Sequence, residues 1–167
     1  SRIDVQSPVR VVLLSTGDEI VEAGGSLKSG QIYDSNRPMI RALLADPLLS
    51  LSDHGIVQDK LAALTFAYEE ALATHDVVIS SGGASDGIED HTQAAMQAVG
   101  ADCAFWRLAM KPGRPMAVGK KDKKLIFCLP GNPVAAFVCT KLLIMPLLTH
   151  LAGGVMTMPL KCITRAG

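Results

Sequence analysis

The 167-residue sequence has no excess of charge of either sign, since 16 lysines and arginines face 16 aspartates and glutamates. This balance argues against a protein that holds nucleic acid by bulk positive charge, because such binding needs many basic contacts to phosphate. Aromatic residues make up only 4% of the chain. We therefore expect Phe105 and Trp106 to line the core or a pocket wall, and we expect no platform for stacking on bases.

Cysteine is also scarce. The four cysteines are widely separated and form no C-x-x-C pair or Cys/His cluster of the kind that binds zinc. We expect buried thiols in a reducing cytoplasm, and no signal peptide is visible. The most apolar segment, residues 135–156, contains Lys141, Pro146 and His150, and we predict a buried helix there rather than a membrane span.

Two common phosphate-binding motifs are missing, because no G-K-[ST] follows the glycines and no G-x-G-x-x-G follows a strand. Residues 83–87 do match G-x-S-x-G, the nucleophile elbow of serine hydrolases, with Ser85 followed by Asp102 or Asp122 and then His150. Hydrolysis is the weaker interpretation, since "IEDH" separates the turn from the next helix and no oxyanion segment of the HGGG type precedes it. Labelling of Ser85 by a fluorophosphonate probe would support it.

Predicted strands and helices alternate along the chain. Strands are predicted for "VRVVLLST", "LLSLSDHGIV", "DVVISS", "ADCAFWRLAM", "RPMAVGK" and "KLIFCLP", and helices for "MIRALLA", "KLAALTFAYEEALATH", "HTQAAMQAVG" and the segment from "GNPVAAF" onward. Ser35 or Asn36 is the expected N-cap of the first helix. The pattern predicts a three-layer α/β/α domain with a mostly parallel, mixed sheet over residues 9–153. Residues 1–8 and 154–167 are predicted connectors to flanking domains.

Loops that leave the carboxyl ends of the strands are predicted to meet at one rim, where such folds bind ligands. In "LPGNP", Asn132 is the expected N-cap and Pro133 the first helical residue, while Gly131 permits close backbone approach. The helix dipole would add about 0.3–1 kcal/mol for a nearby anion. In "KPGRP", Lys111 and Arg114 flank a stiff Pro-Gly turn and can grip an oxyanion.

The same rim is predicted to hold several carboxylates: Asp18, Glu19, Asp34, Asp59 and Asp90. Two unpaired carboxylates about 4 Å apart repel by about 4 kcal/mol at an effective dielectric near 20. A hard divalent cation shared between carboxylate and phosphate would relieve this repulsion, and Mg²⁺ has that preference. The sequence therefore predicts an anion site completed by a metal ion.

The motifs "LLSTGDEI", "GQIYDSNRPMI", "GIVQD", "ISSGGASDGIEDH", "FWRLAMKPGRPMAVG" and "LPGNPVAAF" occur in a characteristic order and spacing. In these motifs the sequence resembles the molybdopterin molybdenumtransferase family, which includes MoeA and the E domain of gephyrin-like proteins. The resemblance covers residues 9–152 and implies the MogA-like molybdopterin-binding fold. This chain would then be the central domain alone, since family members carry further domains before and after it.

The resemblance implies a cytoplasmic enzyme of molybdenum cofactor biosynthesis. Such an enzyme inserts molybdate into adenylylated molybdopterin and releases AMP, with Mg²⁺ as cofactor. The implied catalytic residues are Asp59, Asp90 and Glu19, and the implied metal ligands are Asp59 and Asp90. The implied substrate-binding residues are Thr16, Gly82, Gly83, Ser85, Lys111, Arg114, Pro130, Gly131, Asn132 and Pro133.

Three departures from the family pattern are visible. Asp86 stands where the family usually has an apolar residue, Ala135 where it has serine, and Arg114 where lysine is common. The family also implies a homodimer in the full-length protein, a MogA-like adenylyltransferase as a possible partner, and weak binding with little turnover by the isolated domain. The alternative functions are a MogA-like adenylyltransferase, a CinA-like nucleotide pyrophosphatase and a non-catalytic scaffold.

Overall fold

The computed structural model describes residues 6–82, 91–105 and 116–155. Its strands are β1 (Val9–Thr16), β2 (Ile20–Val21), β3 (Ile32–Tyr33), β4 (Leu49–Val57), β5 (Val77–Ser81), β6 (Asp102–Phe105), β7 (Ala117–Lys121) and β8 (Lys124–Leu129). Its helices are α1 (Asn36–Leu43), α2 (Leu61–Thr74), α3 (His91–Ala98), α4 (Pro133–Cys139) and α5 (Met145–Leu151), with a π-helical turn (Thr140–Ile144) between the last two.

The main sheet has the strand order β4-β1-β5-β8-β7-β6. The first four strands in this order run parallel, whereas β7 is antiparallel to both of its neighbours. Strand β1 sends Val11 and Leu13 into a core shared with α1 and α5, and it sends Val12 and Leu14 into a second core shared with α2 and α3. The sheet therefore lies between two helical layers, which confirms the predicted three-layer α/β/α fold.

The loop after β1 contains a small element that the sequence did not reveal. Strands β2 and β3 form a parallel pair in which Ile32 N–H donates to the Glu19 carbonyl and Asp34 N–H to the Val21 carbonyl. A pairing of two residues per strand is too short to leave a hydrophobic period in the sequence. The predicted polar loop is thus partly ordered by backbone hydrogen bonds.

The sequence predicts either Ser35 or Asn36 as the N-cap of helix α1, and only one of the two is found there. Ser35 occupies the N-cap position, but its side chain makes no capping bond; instead Asp34 Oδ1 accepts from the Arg37 N–H at 3.2 Å. The prediction of Asn36 as N-cap is wrong, because Asn36 is already the first helical residue. Its side chain is therefore available for contacts to other parts of the chain.

The apolar helix predicted near the end of the chain runs from Pro133 to Leu151 through the π turn. Its length and composition alone would allow it to cross a membrane, but in this structure Ala136, Cys139, Ile144 and Leu148 pack in the core against the sheet. Only 33% of the apolar window is buried, so the prediction of a buried helix is confirmed for one face of this helix and not for the whole of it. The wider π turn precedes Pro146, whose ring would clash with the carbonyl four residues earlier in a regular helix.

The predicted hairpin around the lysine-rich turn is confirmed. Strands β7 and β8 pair in antiparallel register, with Lys121 opposite Lys124, and Asp122 adopts a positive φ of 53° in the turn. Aspartate tolerates that conformation better than most residues, which suits the two-residue connection. Three of the predicted thiols are also found, since Cys128 and Cys139 are buried and Cys103 is partly buried, while Cys162 lies outside the described residues.

Candidate functional site

The carboxyl ends of the parallel strands lie along one edge of the sheet, which we call the rim. Thr16 pairs with Val57, and Ser81 pairs with Ser15 on one side and Leu129 on the other. The chain passes from β1 to β4 on one side and then returns to β5 on the opposite side of β1. This reversal makes the rim between β1 and β5 the place where open α/β sheets bind ligands.

Close backbone packing at this reversal explains why residue 82 is glycine. Gly82 has a φ of 90°, and a Cβ atom placed there would lie 2.0 Å from the Thr16 carbonyl oxygen. A Cβ on Gly131 would lie 3.9 Å from the Gly82 Cα atom, so these loops are in contact. The structure thus brings together the predicted residues Thr16, Gly82 and Gly131. Thr16 is fully buried, so in this structure it offers neither its side chain nor its backbone to a ligand.

Asn132 caps the helix that begins at the rim, as predicted. Its Oδ1 atom accepts from Val134 N–H at 3.0 Å and from Ala135 N–H at 3.1 Å, and its carbonyl accepts from Ala136 N–H. Pro133 at the first helical position has no N–H. The N–H groups of this first turn are therefore already bonded. An anion here would meet the helix dipole and the exposed amide group of Asn132 rather than unpaired backbone N–H groups.

The predicted acids Asp59 and Glu19 share one electrostatic environment. Burial raises the pKa of Asp59, the neighbouring carboxylates Asp18 and Glu19 raise it further, and His91 opposes this rise. Asp18 and Glu19 are exposed, Asp59 is half-buried, and His91 opens helix α3. Burial and the two neighbouring carboxylates both disfavour the ionised form of Asp59, and a cation at this position would favour it.

The metal site itself stays a prediction. Within residues 6–82, 91–105 and 116–155, no group of three or more His, Cys, Asp or Glu side chains is arranged to hold a metal ion. The carboxylates of Asp59, Asp18 and Glu19 are the hard oxygen donors that Mg²⁺ prefers. Their donor chemistry therefore suits the ion, but Asp90, the second predicted ligand, lies outside the described residues.

Asp34 does not belong with these acids, so the expectation that it needs a divalent cation is wrong. Asp34 is buried, and its Oδ2 atom lies 3.6 Å from the Nε atom of Arg37. Arg37 also pairs with Glu22, and its Nε atom lies 3.2 Å from Asp53 Oδ1. Sequence reasoning missed Arg37, although a cation in the first turn of a helix opposes the dipole and so signals acidic partners nearby.

Asn36 is a second residue that the sequence analysis missed. Its amide nitrogen donates to Ser81 Oγ at 2.8 Å and to the Gly131 carbonyl at 2.9 Å. These contacts join helix α1 to the ends of two strands that are far apart in sequence. Local periodicity carries no signal for them.

Five predicted site residues lie outside the described residues, namely Gly83, Ser85, Asp90, Lys111 and Arg114. Among the other predicted residues, Pro130 is buried, whereas Gly131, Asn132 and Pro133 are exposed at the start of α4.

The proposed partners of Ser85 in the hydrolase interpretation lie at the opposite edge of the sheet. Asp102 pairs with Lys120 near the hairpin that contains Asp122. His150 precedes Leu151, whose carbonyl accepts from the Gln6 side chain just before β1. At about 3.3 Å per residue, the five-residue strand β5 separates the two edges by roughly 13 Å. Ser85 itself lies outside the described residues, so the structure shows only that these partners lie at the edge opposite to Gly82.

Comparison with known proteins agrees with this architecture. The sequence matches the family model MoCF_biosynth, described as a probable molybdopterin binding domain, over residues 12–150. The molybdopterin molybdenumtransferase of Haemophilus influenzae is 43% identical over 145 residues, which are 87% of this chain and 36% of that protein. The molybdopterin molybdenumtransferase of Staphylococcus aureus strain MRSA252 is 36% identical over 149 residues, 89% of this chain and 36% of that protein.

A solved structure supports the same assignment. The molybdopterin biosynthesis moeA protein from Pyrococcus horikoshii superposes with a TM-score of 0.77 at 32% identity, over 87% of this chain and 36% of that chain. This chain thus spans about a third of the length of the relatives that it matches, 36% in the two cases above. The family model covers most of the sequence, including the glycine-rich and "LPGNP" motifs. The chain therefore belongs to the MoCF_biosynth family of probable molybdopterin-binding domains, and the predicted resemblance to the molybdopterin molybdenumtransferases is confirmed.

Proposed function

We propose that this domain takes part in molybdenum cofactor biosynthesis by holding adenylylated molybdopterin at the rim while molybdate is inserted and AMP is released. The observation that carries this proposal is the match to molybdopterin molybdenumtransferases over 87% of the chain. The rim supports it, because glycine turns, a helix start and a carboxylate group meet at one edge. Activity, substrates and partners of the whole protein are part of the proposal, since the relatives are much longer.

The phosphate end of the substrate would lie near the start of α4. Gly131 is exposed there and lacks a side chain, so a ligand can approach its backbone closely. The Asn132 amide offers an exposed donor, and the dipole of a helix that continues to Leu151 favours a negative charge. Lys111 and Arg114 are proposed to hold the molybdate oxyanion, as the family motif implies.

The acidic end would hold Mg²⁺ through Asp59 and Asp90, with Glu19 beside them. When bound, the ion would neutralise the carboxylates and withdraw electrons from a phosphate oxygen of the substrate. Burial, and then repulsion from Asp18 and Glu19, disfavour the ionised carboxylate of Asp59, and a bound cation would stabilise that ionised state. We further propose that the isolated domain binds weakly and turns over little, because partner domains of a homodimer would close the pocket.

The proposal can be tested with a reconstituted reaction. Adenylylated molybdopterin, molybdate and Mg²⁺ are mixed with this chain, alone or within a longer version of the protein, and AMP release is followed by chromatography. We expect molybdate-dependent AMP release by the longer version, which Asp59→Asn lowers at least a hundredfold, and little AMP release by this chain alone. The matched control is Asp122→Asn, the same change in the hairpin at the opposite edge of the sheet, and its rate should equal that of the wild type.

Three other outcomes would contradict the proposal and identify an alternative. ATP-dependent adenylylation of molybdopterin would indicate a MogA-like adenylyltransferase. Cleavage of nucleotide pyrophosphates without molybdopterin would indicate a CinA-like enzyme. Ligand binding that survives Asp90→Asn, with no product formed by any version of the protein, would indicate a scaffold.

A further inference from the structure

The side chain of Asn36 bridges two loops of the rim from the first turn of α1. Its amide nitrogen donates to Ser81 Oγ and to the Gly131 carbonyl, at 2.8 and 2.9 Å. These partners are 45 and 95 residues away in sequence. Asn36 is 7% exposed, so water competes little for these bonds. The contact therefore fixes three separate segments of chain at one point.

The identity of the bonding atom follows from chemistry. The Gly131 carbonyl can only accept a hydrogen bond, so the Asn36 atom that faces it must be the NH₂ group and not the oxygen. The Ser81 hydroxyl can accept the second proton of the same group. Asn36 thus uses both of its donors, and a side chain of the same shape without donors could not replace it.

The position of Gly131 gives this contact its consequence. Gly131 immediately precedes Asn132, whose side chain caps α4 through Val134 N–H and Ala135 N–H. The strand pairing of β5 and β8 ends with Ser81 opposite Leu129, two residues before Gly131. The Asn36 bond therefore continues the connection between these strands beyond the last backbone pair, up to the helix cap.

We propose that Asn36 is a positioning residue that holds the Gly131–Asn132 turn against the end of β5 and so fixes the phosphate side of the rim. This inference rests on the proposed function only for the identity of the ligand, whereas the Asn36 contact itself does not depend on that function. Without the Asn36 donors, the Gly131 carbonyl is released and Asn132 loses the backbone support that orients its cap. The N-terminal turn of α4 then opens more often, and a bound phosphate loses its partner group.

The first experiment needs no ligand. Amide hydrogen exchange at Val134 and Ala135 is measured by NMR in Asn36→Ala, Asn36→Asp and Ser81→Ala. We expect at least tenfold faster exchange in both Asn36 variants, because alanine has no donor and the aspartate carboxylate only accepts. Ser81→Ala removes one of the two contacts but keeps the bond to Gly131, and its exchange at these amides should stay within twofold of the wild type.

A core variant separates positioning from a general loss of stability. Ile144 is fully buried in the same continuous helix, away from the rim. The Ile144→Val substitution should therefore lower stability without touching the Gly131 turn. Its exchange at Val134 and Ala135 should rise only as much as exchange at amides of β1. Wild-type exchange in Asn36→Asp would overturn the inference, and so would a tenfold rise in Ser81→Ala. If Asn36→Ala does not fold, Asn36→Asp alone is used for the amide exchange and for the AMP titration.

The second experiment uses AMP as the probe, by isothermal titration with Mg²⁺ present. We expect the dissociation constant to rise at least tenfold in Asn36→Asp and less than twofold in Ser81→Ala. If the wild type binds no AMP, the proposed function fails while the exchange experiment still decides the role of Asn36. If AMP binds the Asn36 variants as tightly as the wild type, the turn is not part of the phosphate side and the inference is overturned.

Discussion

Replacement of Arg37 by methionine should destabilise the domain strongly. The Arg37 side chain is 7% exposed and faces three carboxylates, of which Asp34 is 1%, Asp53 34% and Glu22 60% exposed. Methionine preserves much of the apolar volume but removes the charge. Asp34 then stays buried without a cation, and removal of one partner from a buried ion pair costs about 3–5 kcal/mol. The free energy of unfolding of a domain is about 5–15 kcal/mol, so this cost is a large share of the total stability.

The measurement is equilibrium urea unfolding, with the midpoint compared at constant slope. Arg41→Met is the matched control, because Arg41 lies one helical turn later, is 64% exposed and approaches Asp53 only to 3.9 Å. It should cost less than about 1 kcal/mol, as exposed ion pairs do. The double variant Asp34→Asn with Arg37→Met should recover part of the loss, because the uncompensated charge is gone. Equal costs for Arg37→Met and Arg41→Met, or strictly additive effects in the cycle, would refute the reasoning.

Three further predictions concern the rim and the opposite edge. Gly82→Ala should cost more than about 2 kcal/mol in urea unfolding, because its Cβ would collide with a backbone carbonyl, whereas Gly100→Ala has a similar φ with open space and should cost less. Asp59→Asn should leave stability equal or slightly higher while activity falls, since it removes a carboxylate whose pKa is raised; a clear loss of stability would contradict this. The Arg10 hydrogen bond lowers the pKa of Asp76, so this pair stabilises the fold above the ordinary carboxyl pKa and less as the pH falls through the lowered value. Asp76→Asn should therefore flatten the acid limb of a stability–pH curve, and an unchanged limb would show that the pair does not matter.

The fold was predictable because its signals are local. Strand β1 carries the apolar run of residues 11–14, as expected of a strand covered on both faces, and α2 and α3 follow helical spacing. The convergence of Thr16, Gly82 and Gly131 followed from the rule that parallel strands end at one edge. The N-cap at Asn132 and the first helical residue Pro133 were both predicted from the Asn-Pro dipeptide, since each residue type suits one of these backbone positions.

The contacts of α1 were not predictable for the opposite reason. Asn36 and Arg37 act on residues that are close only after the strands have been ordered, and their partners in β4, β5 and the loop before α4 leave no repeat in the sequence. The π turn before Pro146 likewise depends on how a continuous helix accommodates one proline while packed on the sheet. Such features follow from tertiary packing, which propensity and spacing do not encode.

The acids around α1 and the rim separate into two groups that the sequence could not distinguish. Glu22, Asp34 and Asp53 surround Arg37, so their charge is balanced within the protein. Asp18, Glu19 and Asp59 form no salt bridge in the part of the chain that the structure describes. Burial raises the pKa of Asp59 and repulsion from Asp18 and Glu19 adds to this rise, while His91 opposes it. Negative charge that the fold leaves unbalanced is thus concentrated beside Asp59, while the dipole and donors at Asn132 favour an anion. A substrate with a phosphate and a divalent cation would match both ends of this arrangement, because the cation relieves the acids and the phosphate occupies the helix start.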